Sequence, residues 1–138
     1  DVPEPQRPAL GQAFEAALLE RDTQADTPAR EQAREKAMRS PWLLLAVART
    51  GGEPAEIPAA ERLLSAGAAV PNMLLMATAL NLGSALTSGK ALQSRALRQL
   101  FALAPDEQAL CFINIGHIGE PRKARARPEV ARYFSVLG

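Results

Sequence analysis

Residues 83–91, GSALTSGKA, have the residue types of a phosphate-binding loop. Glycines leave backbone N–H groups accessible, and a lysine beside them can neutralise a phosphate. The spacing has one residue too many, however, and Ala91 stands where such a loop carries the Ser or Thr that binds magnesium. The segment also follows a helical pattern instead of a strand. These features argue against a nucleoside-triphosphate site and leave the segment as a candidate ligand loop.

The single histidine and the serines near it give little support to hydrolytic or zinc chemistry. Ser84, Ser88 and Ser94 lie in no nucleophile-elbow context, which disfavours a Ser-His-acid hydrolase. A zinc site needs several Cys or His ligands, and the chain has only His117 and Cys111. We therefore expect His117 to be structural or exposed to solvent.

A closely spaced basic group lies near the C-terminal end of the sequence: Arg122, Lys123, Arg125 and Arg127. Such groups most often form a solvated tail. Guanidinium and ammonium groups are also what an anionic phosphate requires. The sequence leaves both interpretations open.

The composition is that of one ordinary globular domain. The 138 residues are 47% hydrophobic and 22% charged, and the net charge of +1 favours neither nucleic acid nor a membrane as a partner. Because Cys111 is the only cysteine, an intrachain disulfide is impossible, and a reducing compartment is expected. No signal or transit peptide opens the sequence, so a cytoplasmic location is expected.

The longest apolar pattern covers residues 59–82 and predicts a buried central helix. Gly67 and the surrounding alanines would let another backbone approach closely, whereas Pro71 should kink or divide the helix. The segment is too rich in alanine for a convincing membrane span. A protein core or a subunit interface is the better interpretation.

The other segments predict an α+β chain. The proline-rich first ten residues predict a loop or an arm, and a polar helix beginning at Thr27 and Pro28 should present its charges to solvent. Residues 41–50 predict a central strand buried on both faces. The remaining predicted elements are helices at residues 8–21 and 94–103, a loop at residues 81–92, and a strand at residues 109–117 with Cys111 as a core thiol. More strand partners are expected than the sequence visibly supplies.

Three successive segments resemble the FMN-dependent nitroreductase family, and most closely its small single-domain NAD(P)H nitroreductases. The segments are RSPWLLLAVA, IPAAERLLSAGAAVPNMLLMATALNLGSALTSG and ALCFINIGHIGEPRKARARP. Each motif consists of common residues, but their order and spacing match the family across residues 36 to 130.

The resemblance implies a mixed or antiparallel sheet flanked by helices, with a long central helix that forms much of a homodimer interface. It implies one domain, residues 1–138, that is incomplete at its N-terminus relative to the family, whose members begin with an Arg- and Ser-rich helix.

The resemblance also implies an FMN-dependent oxidoreductase that uses NAD(P)H to reduce nitroaromatics, quinones or similar small-molecule acceptors. FMN would supply the redox chemistry, so neither a metal nor a catalytic acid or base is implied. The implied cofactor-binding residues are the backbone groups of Ala85, Leu86 and Thr87 beside the ring or ribityl chain, and Lys123, Arg125 and Arg127 at the phosphate. The alternative is a cofactor-free remnant or a non-catalytic FMN-binding module on the same fold.

Overall fold

The computed structural model describes residues 1–119 and 126–137, which contain helices and one antiparallel sheet. The α-helices are α1 (Arg7–Leu19), α2 (Thr27–Glu35), α3 (Ala59–Ala79) and α4 (Arg95–Leu100). The strands are β1 (Trp42–Arg49), β2 (Gly83–Thr87) and β3 (Glu107–Gly116). Short 3-10 turns lie at Glu4–Gln6, Lys36–Met38, Lys90–Gln93 and Val130–Arg132. The α+β class is confirmed, and none of the described helices is long and apolar enough to cross a membrane.

The sheet has the strand order β1-β3-β2, and both pairings are antiparallel. The strand predicted at residues 41–50 is present as β1, but its predicted central position was wrong, because β3 lies at the centre and β1 at an edge. The prediction of a loop across residues 81–92 was also wrong in part, because β2 pairs with β3 from Gly83 opposite Gly116 to Thr87 opposite Phe112. A shift in register between Ala46 and Val47 marks a bulge in the other pairing.

One face of the sheet carries the larger core and packs against α1 and α4. Leu10 and Leu97 are fully buried there, beside the ring of Phe112 on β3. Ser94 caps α4 by accepting a hydrogen bond from the Leu97 N–H, and Asp26 caps α2 in the same way at Ala29. These caps explain why two short helices begin where they do.

The opening residues are tied to the sheet and do not form the predicted arm. Val2 is buried, and its N–H donates to the carbonyl oxygen of Leu43 at 2.8 Å, on the outer edge of β1. Pro3 precedes the 3-10 turn, and Pro5 and Pro8 lie in the first residues of that turn and of α1, where their missing N–H groups cost no helical hydrogen bond.

Helix α2 is not simply a solvated charged face, as its sequence predicted. Glu15 on α1 accepts from Arg30 Nε at 2.6 Å and from Arg34 Nη1 at 2.9 Å. Gly11 allows this close packing, because a Cβ at its position would lie 3.0 Å from the Arg34 carbonyl oxygen. Two charges of α2 therefore join it to α1.

Helix α3 packs on the other face of the sheet but is not the buried helix that the sequence predicted. Within the chain, only Val70 and Ala77 of this helix are buried. Val70 lies against Ile113 and Cys111 of β3, where burial raises the pKa of the thiol.

Pro71 does not divide α3, which runs unbroken for 21 residues. The proline leaves the carbonyl of Gly67 without its helical donor. A Cβ at Gly67 would meet nothing within 4 Å, so this side of the helix is open and water can bind that carbonyl.

Candidate functional site

A cavity of about 420 Å³ lies between α1 and α2 on one side and β3 with the segment after β2 on the other. Its volume is within the range of small-molecule sites. The lining residues are Phe14, Leu18, Arg21, Ala29, Gln32, Ala33, Lys36, Arg39, Leu43, Thr87, Ser88, Gly89, Lys90, Ala91, Leu92, Phe112 and Asn114.

The walls of this cavity combine positive charge with an apolar surface. Four of the lining residues are cations, and none of the described lining residues is acidic: the cations are Arg21, Lys36, Arg39 and Lys90. The apolar wall includes Phe112, whose ring lies edge-on to Phe14 with 5.4 Å between the ring centroids. The arrangement suits a ligand that has a flat apolar body and an anionic group.

The turn that carries Lys36 and Arg39 is held in place by a buried arginine. Arg7, at the start of α1, donates through Nη1 to the Ala37 carbonyl at 2.9 Å and through Nη2 to the Pro41 carbonyl at 3.2 Å. It also donates to the carbonyls of Val2 at 2.6 Å and Ser40 at 3.2 Å. These bonds hold the chain between α2 and β1 against α1, and so fix one basic wall of the cavity.

The opposite wall is formed where β2 ends. Asn114 on β3 donates through Nδ2 to the Ala85 carbonyl at 3.3 Å and to Thr87 Oγ1 at 3.1 Å. Gly89 follows with φ 153°, a value that L side chains rarely adopt, and the chain turns into the segment that carries Lys90.

The structure brings one of the predicted cofactor-binding side chains to the cavity. Thr87 lines it, and Ala85 lies on the same sheet face, since these residues pair with Phe112 and Asn114. Leu86 pairs with Ile113 and points to the α3 face, where it is half-exposed. The prediction concerned the backbone of these three residues, and it stays a prediction.

The predicted basic tail does not line the cavity in the described part of the chain. Arg127 is exposed, and the described residues lining the cavity do not include it. Lys123 and Arg125 lie outside the described residues. Their proposed contact with a phosphate remains a prediction.

Sequence reasoning missed most of the cations that the cavity does contain. Lys36 and Arg39 follow a charged helix and looked like part of its solvated surface. The available signal was a change from mixed to purely basic charge, since the segment Lys-Ala-Met-Arg at residues 36–39 has no acidic residue, unlike the helix before it. Lys90 belongs to the Gly-Lys pair described above, but the sequence alone does not show that this lysine lines a cavity.

Comparison with known proteins gives one family and several solved structures. A sequence model of the nitroreductase family matches residues 2–117, and no curated protein sequence gives a significant match. A nitroreductase-like family protein from Bacillus cereus has a TM-score of 0.77 at 17% identity, with 95% of this chain and 67% of that protein covered.

Two further solved structures are similar in fold. Iodotyrosine deiodinase bound to FMN and 3-iodo-L-tyrosine has a TM-score of 0.65 at 18% identity, with 99% of this chain and 74% of that protein covered. The FMN and NADPH-dependent nitroreductase NfnB from sphigopyxis sp. strain HMH has a TM-score of 0.60 at 21% identity, with 98% of this chain and 60% of that protein covered. At such identities the similarity concerns the fold.

Proposed function

Because this chain belongs to the nitroreductase family, we propose that it is an FMN-dependent oxidoreductase that uses NAD(P)H to reduce nitroaromatics, quinones or similar acceptors. The observation that carries the proposal is the cavity between α1, α2 and the end of β2, with four cations beside an aromatic wall. A cytoplasmic location remains a prediction from the sequence.

The residues of the cavity fit FMN. The phosphate of FMN is a dianion, and Lys36, Arg39, Lys90 and Arg21 are the described cations that would hold it. The apolar surface of Phe14 and Leu18, which line the cavity and are only partly buried, would contact the flat ring. Lys123, Arg125 and Arg127 are proposed as a further source of positive charge at the phosphate.

When bound, the flavin supplies the hydride and electron chemistry. The residues of this chain bind and orient the cofactor. Because the described lining residues include no Asp, Glu or His, these walls offer no carboxyl or imidazole group for proton transfer. Their contribution is to neutralise charge and to exclude water from an apolar ring.

We also propose that two copies of the chain associate through α3. Leu64, Leu75 and Met76 on this helix are mostly exposed, with 75%, 68% and 59% of their surface accessible. Exposed apolar side chains concentrated on one long helix indicate an interaction surface. A symmetric homodimer would cover both copies of this surface at once.

The decisive experiment is a titration of the purified protein with FMN and with riboflavin, followed by flavin fluorescence. We expect FMN to bind more tightly, because riboflavin lacks the phosphate. The FMN-loaded protein should then oxidise NADH or NADPH when a nitro compound or a quinone is added. No binding of FMN would refute the assignment, and binding without turnover would favour the non-catalytic FMN-binding module.

A further inference from the structure

Arg7 is a buried cation whose charge is not matched by a carboxylate. Only 4% of its surface is accessible, and it takes part in none of the ion pairs within the described part of the chain. Its described hydrogen bonds go to the backbone carbonyl oxygens of Val2, Ala37, Ser40 and Pro41. Carbonyl dipoles solvate the guanidinium but do not cancel its charge, so a positive potential remains beneath this turn.

Three of these carbonyls lie at the end of a helix or just beyond it. α2 ends at Glu35 and is followed by the 3-10 turn Lys36–Met38, after which the chain enters β1. The last carbonyl groups of a helix have no helical donor and carry partial negative charge, which would repel an anion. Because Arg7 donates to carbonyls in this turn and after it, the repulsion is reduced at this end of α2.

The same hydrogen bonds hold the turn that presents two cations to the cavity. Ala37 is fully buried in the core, whereas Lys36 before it and Arg39 after it line the cavity. Arg7 Nη1 donates to the Ala37 carbonyl at 2.9 Å, between these two cations in the sequence. A planar guanidinium reaches several acceptors at once, which a single ammonium cannot do. The turn is therefore fixed before a ligand binds.

We propose that Arg7 is a positioning residue for the phosphate of the bound cofactor, which directs Lys36 and Arg39 to the anion and offsets the negative end of α2. The inference rests on the proposed function, because it needs FMN in this cavity. Arg7 acts through the turn and not by contact, since the described residues that line the cavity do not include it. Its effect concerns the phosphate monoester and not the apolar ring.

The test compares variants of Arg7 by titration with FMN and with riboflavin, followed by flavin fluorescence. Arg7→Lys keeps the charge but cannot reach all the carbonyls, and we expect it to weaken FMN binding roughly fivefold to tenfold. Arg7→Gln also removes the charge and should weaken FMN binding further. Riboflavin has no phosphate, so its affinity should change by less than about twofold in both variants. A merely structural role would lower both affinities together.

Arg98→Lys is the matched control. Arg98 on α4 also donates to several carbonyls, those of Leu103, Ala104 and Glu107, but it is not among the described residues that line the cavity. Its replacement should lower the melting temperature, as Arg7→Lys does, but leave the ratio of FMN affinity to riboflavin affinity at the parent value. The comparison separates a loss of stability from a loss of phosphate binding.

A double-mutant cycle tests whether Arg7 acts through Lys36. Lys36→Gln should weaken FMN binding less in the Arg7→Lys background than in the parent, because the ammonium is then no longer held toward the phosphate. Effects of the two substitutions that simply multiply would show that the residues act independently, which would overturn the positioning role.

If neither Arg7 variant folds, hydrogen exchange in the parent tests the same inference. A turn that Arg7 fixes in advance should protect the amides of residues 36–41 in the protein without FMN. Exchange of these amides at the rate of unstructured chain until FMN is added would contradict the inference.

The possible failures can be told apart. A folded Arg7→Lys with the FMN affinity of the parent, or with an equal loss for FMN and riboflavin, would overturn this inference and leave the proposed function standing. A parent that binds no FMN would overturn the proposed function and this inference with it.

Discussion

Arg7 and Lys36 carry the same charge but meet different surroundings at the same turn. The guanidinium of Arg7 is buried and satisfied by the carbonyl oxygens of Val2, Ala37, Ser40 and Pro41. Lys36 lies on the cavity side of that turn. A planar group with five donors suits the first position, and a single ammonium on a flexible chain suits the second.

Lys36 should contribute to the affinity for FMN through charge. Because a hydrogen bond to a charged group is worth about 1.5–3 kcal/mol, we expect Lys36→Gln to weaken FMN binding by roughly tenfold or more. Riboflavin has no phosphate, so its affinity should change little. Arg95→Gln is the matched control, because Arg95 is exposed on α4 and is not among the described residues lining the cavity. An equal loss for both flavins would exclude a phosphate contact.

Gly116 ends β3 at a point where a side chain has no room. A Cβ there would lie 2.9 Å from Cδ of Pro41, which is closer than real Cβ atoms come. We expect Gly116→Ala to lower the free energy of unfolding by about 1–3 kcal/mol, because the chain before β1 must shift. Gly119→Ala is the control, since a Cβ at Gly119 meets nothing within 4 Å. Urea denaturation followed by circular dichroism measures both, and equal midpoints would contradict the steric argument.

At the scale of elements, the contact between α1 and α2 depends on a carboxylate between two arginines. The hydrogen bond from Arg30 lowers the pKa of Glu15, and Arg34 lowers it further, whereas desolvation by burial opposes them. The carboxyl is therefore more acidic in the folded chain than in the unfolded chain. Its contribution to stability is complete above the ordinary value of 4.5 and is lost as the pH falls below it.

Replacement of this carboxyl should give a stability difference that depends on pH. Glu15→Gln keeps the size of the side chain but removes the charge, so it should unfold at lower urea concentration than the parent at pH 7. The difference should shrink as the pH is lowered through 4.5 and beyond, because the parent then becomes protonated as well. A difference that stays constant from pH 7 to pH 3.5 would show that the charge of Glu15 is not responsible.

The elements with long apolar patterns were predictable from the sequence. The elements that form only by pairing with a strand distant in the chain were not. α3 and β3 show sustained apolar runs, which is why both were found. β2 is five residues, GSALT, with a glycine and two hydroxyl side chains, and it becomes a strand because β3 offers an edge. The order of the strands likewise depends on the pairing of β1 with β3 across more than fifty intervening residues, which no local pattern indicates.

The site was less predictable than the fold for a related reason. Thr87 was identified because the resemblance placed it in a ligand loop. Arg30 and Arg34 looked solvated because their partner, Glu15, is 15 and 19 residues earlier in the chain. Asn114 lies inside a strand pattern, and its role depends on contacts with Ser40, 74 residues away, and with Ala85, 29 residues away. These contacts form only in the folded chain, so the sequence alone does not reveal them.

At the scale of the whole molecule, the exposed surface of α3 should control assembly. Leu75 is 68% exposed, so Leu75→Glu should leave the folded chain intact but place a charge in the proposed dimer contact. We expect sedimentation velocity to show a dimer for the parent and a monomer for this variant at micromolar concentration. Gln99→Glu on α4 is the control and should stay dimeric. A stable parent monomer would refute the proposed homodimer.

The open side of α3 has a thermodynamic consequence. Because only Val70 and Ala77 of its 21 residues are buried within one chain, part of the apolar surface that holds the fold together would be covered only on association. Unfolding of a dimer produces two separate chains, so dilution favours the unfolded state by mass action. The melting temperature should then fall with each tenfold dilution of the protein, whereas that of Leu75→Glu should start lower and stay constant. The concentration of the protein in the cell would in this way set how much of it is folded.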